Sequence, residues 1–303
     1  MIAQLWGRFA DGGAMGVSEP RATQPTTMRS RRIAKRLAFV ADDLRSHDHG
    51  DVVLAYHRVG GRTASPVDLP VVMFERQMAH LRALGSIATL DDIVANGNRS
   101  STLADTLEPP AASSIVVTFD DGTADFVDVA LPILVRYQIP ATLYLATEFV
   151  DSQRNYPADG KPISWNGLRE ALSTGLVTVG AHTHTHRLLD RCSLSEATSE
   201  IDSCIDRIGT ELGVTAEHFA YPKACPPRAG EVDELIRSRF RSAAVGGTRP
   251  NVREKTDWWH LYRSPIQNAD GWQGFVRKSR GGMASEDDLR RVINLVRYRG
   301  RTS

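Results

Sequence analysis

The sequence of 303 residues has little cysteine, almost no net charge and no long apolar run. Its three cysteines are an odd number without C-x-x-C spacing, which argues against a disulfide framework and against a thiolate zinc cluster. The 37 basic and 36 acidic residues leave a formal net charge of +1, so no global field attracts nucleic acid or an anionic membrane. No run approaches the ~18 apolar residues that a transmembrane helix needs.

We also expect no targeting segment. The basic stretch "RSRRIAKR" is followed only by "LAFVA", which is too short for the apolar core of an ordinary signal peptide. We therefore expect a cytoplasmic protein. The basic stretch is the sole support for nucleic-acid binding, and such runs are usually solvated, so we expect no nucleic-acid partner.

Residues 1–50 are rich in Gly, Ser, Thr, Pro and Arg without a sustained period, which predicts a flexible extension. From residue 51 to residue 303 we expect one folded domain, because 41% hydrophobic content is ample for a large core. Strand-like runs such as "DVVLAY" and "SSIVVTF" alternate there with helical patterns. This order predicts an α/β fold with a parallel sheet covered by helices, and we favour a barrel over a doubly wound sheet.

In both folds the ligand site lies at the carboxyl ends of the strands. The polar residues that follow the predicted strands are therefore candidates for the site: His57, Asp120, Asp121, His182, His186 and Tyr221.

Three histidines lie at alternate positions in "VTVGAHTHTHRLLD", residues 177–190. A continuing strand would put His182, His184 and His186 on one face, whereas a helical turn would pair only His182 with His186. A polar loop that binds nothing is the third alternative. Because neutral imidazole is the commonest metal ligand in proteins, three histidines within five residues favour a metal site completed by a carboxylate.

The sequence "DDG", residues 120–122, supplies two carboxylates at the end of a buried strand. Alone it would indicate a turn. Together with His182 and His186, one aspartate would complete a His₂Asp metal site with an open water position, and the other aspartate would be free to act as a base.

"TFDDG" (118–122) and "HTHTH" (182–186) resemble the first two motifs of the polysaccharide deacetylases, carbohydrate esterase family four, and the similarity extends over about residues 113–225. The resemblance implies a distorted (β/α) barrel, often of seven strands, that binds one divalent metal ion. Zinc is the expected ion, and cobalt, nickel and manganese are alternatives. It further implies that Asp121, His182 and His186 bind the metal and that Asp120 is the general base. His184 would then be a bystander or a supporting residue.

Hydrolysis of an amide also requires an acid, because an amine leaves poorly unless it is protonated. "VVLAYHRVG" (52–60) resembles the opening strand of a permuted branch that includes the poly-N-acetylglucosamine deacetylases. This resemblance implies that His57 is the acid, and it would lie across the metal from Asp120 in the same strand-end pocket. The alternative is His260, in "WWHLYRSP".

The third family motif is represented by "FAYPKACPP" (219–227), in which Tyr221 and Pro222 match and the arginine is missing. The resemblance implies that the Tyr221 amide binds the oxyanion and that Pro222 lines the substrate site. Arg263, at another strand end, is a candidate replacement for the arginine. Trp165 is a candidate for stacking on a sugar.

The resemblance implies a metal-dependent hydrolase that removes N-acetyl groups from an amino-sugar glycan or glycoconjugate, with an N-acetylated carbohydrate as substrate. Two alternatives remain: hydrolysis of another non-peptide amide on the same fold, and a glycan-binding protein without turnover. Neither the oligomeric state nor the glycan follows from the sequence.

Overall fold

The computed structural model describes residues 49–97, 113–228, 230–284 and 287. Most of the predicted N-terminal extension lies outside these residues, as does the end of the chain. Seven parallel strands close into a barrel, which confirms the predicted (β/α) architecture. In the order of their pairing the strands are β1 (Val52–Tyr56), β4 (Ile115–Phe119), β5 (Ala141–Leu145), β6 (Val177–Ala181), β7 (His218–Ala220), β8 (Ser242–Gly246) and β9 (Leu261–Pro265).

Two short strands, β2 (Arg58–Val59) and β3 (Asp68–Leu69), pair with each other outside the barrel. The described helices are α1 (Val71–Leu84), α2 (Leu90–Gly97), α3 (Leu131–Tyr137), α4 (Thr147–Ser152), α5 (Trp165–Ser173), α6 (Leu194–Leu212), α7 (Glu231–Arg239) and α8 (Gly271–Lys278). Among the described residues, no helix combines the length and the apolar character needed to cross a membrane.

Local sequence explains where several helices begin and end. Ser193 and Glu196 form a capping box at the start of α6, and Gly213 ends that helix in the left-handed conformation. Before α3 the chain forms one wide π-helical turn, Phe126–Ala130. Pro132 explains this turn, because proline has no N–H to donate to the carbonyl four residues earlier.

The strands are buried on both faces, and alternate residues enter two different cores. Val52 and Leu54 belong to the large core between the barrel and its helices, whereas Val53 belongs to a smaller core inside the barrel. Because successive side chains of a strand point to opposite faces, this division follows from the strand period of two.

Helix α2 closes one end of the barrel. Ala88, just before α2, donates its backbone N–H to the carbonyl of Ile115 at the start of β4, so α2 begins at the amino ends of the strands. Its residues Leu90, Ile93 and Val94 belong to the inner core. The carboxyl ends of the strands are therefore the end at which polar side chains can be reached.

Candidate active site

The predicted strand-end positions are confirmed for four strands. His57 directly follows β1, Asp120 follows β4, His182 follows β6 and Tyr221 follows β7. Because all the barrel strands are parallel, these residues lie at the same end of the barrel.

The backbone turns sharply after β4. Asp120 still donates its N–H to the carbonyl of Tyr56, at 3.0 Å, and the N–H of Gly122 then bonds back to the carbonyl of Asp120, at 2.9 Å. Asp121, between them, has a φ of 73°, and this combination is the pattern of a γ-turn, a strained conformation for a residue with a Cβ. The turn separates two adjacent carboxylates, which consequently have different partners.

The Asp121 carboxylate faces two histidines. Its Oδ1 lies 3.7 Å from Nε2 of His182 and 3.4 Å from Nε2 of His186. One potential ligand atom from each of the three residues lies within 4.8 Å of the others, which suits a single metal ion. The three residues predicted from the sequence to bind a metal therefore lie close together.

The hydrogen bonds of His182 orient it as a ligand. Its Nδ1 lies 2.7 Å from the carbonyl oxygen of Ala220, and since a carbonyl can only accept, Nδ1 carries the proton and Nε2 has its lone pair free. Burial lowers the pKa of His182 to about 4, so the ring is neutral near pH 7. A neutral imidazole beside a carboxylate, its other nitrogen bonded to a carbonyl, fits a divalent cation.

His184 points elsewhere. Its Nδ1 lies 2.8 Å from the hydroxyl of Thr147, and its backbone N–H donates to the carbonyl of Glu200, at 3.0 Å. The strand has already ended at Ala181, and Thr183 is left-handed with a φ of 61°, so the three histidines do not share one strand face. This placement is compatible with the expectation that His184 is a bystander or a supporting residue.

Asp120 is held by Arg263. Two guanidinium nitrogens donate to its two carboxylate oxygens, at 2.6 and 2.9 Å, and a third bond reaches the hydroxyl of Thr118 at 3.1 Å. Burial alone would raise the pKa of the Asp120 carboxyl, but the Arg263 guanidinium and the neighbouring histidines lower it below its usual range. Arg263, the candidate replacement for the missing motif arginine, is the third residue of β9 and not a residue at the strand end.

His57 lies beside Asp120. Its Nε2 is 3.8 Å from Oδ2 of Asp120, so the residue after β1 reaches the pocket formed after β4, as predicted. The two side chains are neighbours, which differs from the expected placement on opposite sides of a metal.

The prediction that the Tyr221 amide binds the oxyanion is wrong for this structure. Its backbone N–H donates to the carbonyl of Ala244, at 3.1 Å, and is therefore used in the barrel ladder. Pro222 is buried at the start of the next turn and has no N–H. The next amide along the chain belongs to Lys223, which is exposed and left-handed with a φ of 53°.

Two other candidates have partners of their own. The indole N–H of Trp165 donates to Asp151 at 2.9 Å, and the Arg207 guanidinium lies over the ring, so neighbouring helices hold this side chain. His260 pairs with Asp257 at 2.9 Å, in contrast to His57, which is next to Asp120.

A second cluster, missed from the sequence, lies at the opposite end of the barrel. Asp91, Glu217 and His218 also offer three potential ligand atoms within 4.8 Å of one another. Here Arg241 donates to the carboxylates of Asp91 and Glu217, at 3.1 and 2.6 Å. Its guanidinium supplies the positive charge that a metal ion would otherwise bring to the two carboxylates. We therefore assign this cluster to anchoring α2 against β7.

Comparisons with known proteins concern the family and the fold. Residues 108–236 match the family model described as polysaccharide deacetylase, which confirms the family resemblance predicted from the motifs. No curated protein has a detectably similar sequence.

Solved structures with the same fold include the deacetylase PplD from Streptococcus pyogenes in complex with acetate, at 19% identity and a TM-score of 0.63, which covers 76% of this chain and 98% of that one. IcaB from Ammonifex degensii is similar at 23% identity and a TM-score of 0.62, over 77% and 98% of the two chains. A de-N-acetylase from Aggregatibacter actinomycetemcomitans is similar at 19% identity and a TM-score of 0.59, over 75% and 98%.

Proposed function

We propose that this protein is a metal-dependent hydrolase that removes N-acetyl groups from an amino-sugar glycan or glycoconjugate. The observation that supports it best is the meeting of two sets of side chains at one end of the barrel. Asp121, His182 and His186 form a potential metal site, and the adjacent Asp120 lies within 3.8 Å of His57. The names of the similar structures, deacetylases among them, support the same reaction class.

The proposed metal ligands are Asp121, His182 and His186, one carboxylate and two imidazoles, a set that suits zinc, with cobalt, nickel or manganese as alternatives. When bound, the ion would polarise the acyl carbonyl and lower the pKa of the attacking water.

The protein's own groups move the protons. Asp120 accepts one proton from the attacking water as the new C–O bond forms, and Arg263 both fixes the direction of this carboxylate and keeps it ionised. His57 donates a proton to the amine nitrogen as the C–N bond breaks. The products are acetate and the free amine of the sugar. The backbone amide of Lys223, an exposed residue, is our candidate donor to the oxyanion, because the amide of Tyr221 is engaged.

Two further predictions from the sequence belong to this proposal. They are the extent of the catalytic domain, residues 51–303, and a cytoplasmic location.

The test is the variant Asp120→Asn. We expect it to keep the barrel, as judged by near-UV circular dichroism, and to keep its metal, but to lose about 10²-fold or more in acetate release from N-acetylated amino-sugar oligomers. Asp202→Asn is the matched control, because Asp202 is also paired with an arginine, Arg239, but at the exposed surface. Wild-type turnover by Asp120→Asn would contradict the proposal. A metal-loaded wild type that releases no acyl product from a broad amide panel would instead favour a glycan-binding protein.

A further inference from the structure

The proposed metal ligand Asp121 lies just past the end of a barrel strand. Strand β4 ends at Phe119, and Asp121 has the strained φ of 73°. A left-handed residue other than glycine persists only when its surroundings impose the conformation. The direction of the Asp121 carboxylate therefore depends on what fixes the peptide that follows it.

Two donors converge on the carbonyl oxygen of Asp121. The backbone N–H of Ala146, just after β5, donates at 3.1 Å, and the hydroxyl of Tyr156 donates at 2.6 Å. The tyrosine bond is the shorter one, and the side chain that makes it is only 6% exposed. Together the two bonds fix the plane of the peptide between Asp121 and Gly122.

The Tyr156 hydroxyl is itself held in place. Tyr156 and Gly160 form a small hairpin, with the Tyr156 N–H bonded to the Gly160 carbonyl at 2.7 Å. The Tyr156 ring stacks on Phe149, with centroids 4.1 Å apart and planes 15° from parallel. Arg58, next to His57, donates to the hairpin carbonyl of Ala158 at 2.8 Å.

The chain after the hairpin runs along the turn that carries the aspartates. Ile163 donates its N–H to the carbonyl of Gly122 at 2.9 Å, and Ala124 donates to the carbonyl of Lys161 at 2.8 Å. Residues 156–163 thus form hydrogen bonds with three backbone groups of the turn: the carbonyls of Asp121 and Gly122 and the amide of Ala124.

We propose that Tyr156 is a positioning residue for the metal site, and that its hydroxyl holds Asp121 in the orientation in which its carboxylate faces His182 and His186. This inference rests on the proposed function, because it assigns a metal to those three side chains. Nothing in the sequence motifs points to Tyr156, which is separated from the aspartates by more than thirty residues.

The experiment compares cobalt binding by wild type and Tyr156→Phe. The phenylalanine keeps the ring that stacks on Phe149 and removes only the hydroxyl. Partners that orient a metal ligand typically contribute 10–100-fold in metal affinity, so we expect the Kd for Co²⁺ to rise by about that factor, with an altered visible absorption spectrum of the bound ion. Tyr137→Phe is the matched control, because Tyr137 ends α3 at the opposite end of the barrel. It should bind Co²⁺ as wild type does.

The outcomes separate this inference from the proposed function. If Tyr156→Phe binds Co²⁺ with the wild-type Kd and spectrum, the positioning role is wrong even when acetate release continues. The same conclusion follows if the variant shows only a lower Tm without metal. If wild type binds no Co²⁺, the proposed function fails together with the inference.

Discussion

Replacing Arg263 by methionine tests how the proposed base is held. Arg263 is 3% exposed and Asp120 is 5% exposed, so the two hydrogen bonds between them, of 2.6 and 2.9 Å, are buried. Methionine fills much of the arginine volume but leaves the Asp120 charge buried without its partner. Breaking a buried pair from one side costs about 3–5 kcal/mol, and we expect a loss of this size in the free energy of unfolding at pH 7.

The pH dependence of this loss follows from the sign of the pKa shift. In the wild type the pKa of Asp120 is lowered, so the pair stabilises the protein above the unfolded carboxyl pKa of ~3.9, and this stability is lost as the pH falls further. Without Arg263, burial should raise the pKa of Asp120. The variant can then relieve its buried charge by taking up a proton, so its deficit should shrink as the pH falls from 7 towards 4.

Urea unfolding of the metal-free protein, with EDTA present, measures these free energies. Arg239→Met is the control, because Arg239 pairs with Asp202 at the exposed surface, where such a pair contributes about 0.2–1 kcal/mol. In the double variant Arg263→Met with Asp120→Asn, the charge is gone and the deficit should be smaller than the sum of the two single losses. A deficit for Arg263→Met no larger than that of the control, or one that grows towards pH 4, would refute the reasoning.

The remaining predictions concern the metal and the acid. Asp121→Ala should abolish tight divalent-metal binding in isothermal titration, whereas His184→Ala should bind nearly as wild type does; the reverse result would mean that the ligand assignment is wrong. His57→Ala should keep its metal and slow acetate release by roughly 10²–10⁴-fold, with a smaller loss on activated esters whose leaving groups need no proton. His260→Ala should be close to wild type, and a larger loss there than at His57 would transfer the acid role to His260.

The sequence was sufficient to predict the barrel and the end at which the site lies. Its strands are apolar runs bounded by polar residues, and the carboxyl-end rule then places His57, Asp120 and His182 together without any knowledge of distances. The long helix α6 begins at a capping box within four consecutive residues, which is a short-range signal.

What the sequence did not predict depends on contacts between distant residues. From the sequence Arg263 is only a candidate replacement for the motif arginine, and its bond to Asp120 from inside β9 is not predicted, because a strand residue that points into a barrel has no local signature for a polar role. The engagement of the Tyr221 amide depends on the register between β7 and β8, which spacing alone does not give. Tyr156 lies in a hairpin in which Ala158 has a positive φ of 59°. Because alanine rarely adopts this conformation, the local sequence does not indicate the turn.

The most direct test of the central claim is a single measurement of acetate released from N-acetylated amino-sugar oligomers by metal-free protein, before and after one equivalent of Zn²⁺ is added. The proposed function predicts no release by the metal-free protein and release after zinc is added, with Asp121→Ala inactive under both conditions. Equal release with and without the ion, or equal activity of Asp121→Ala, would contradict it.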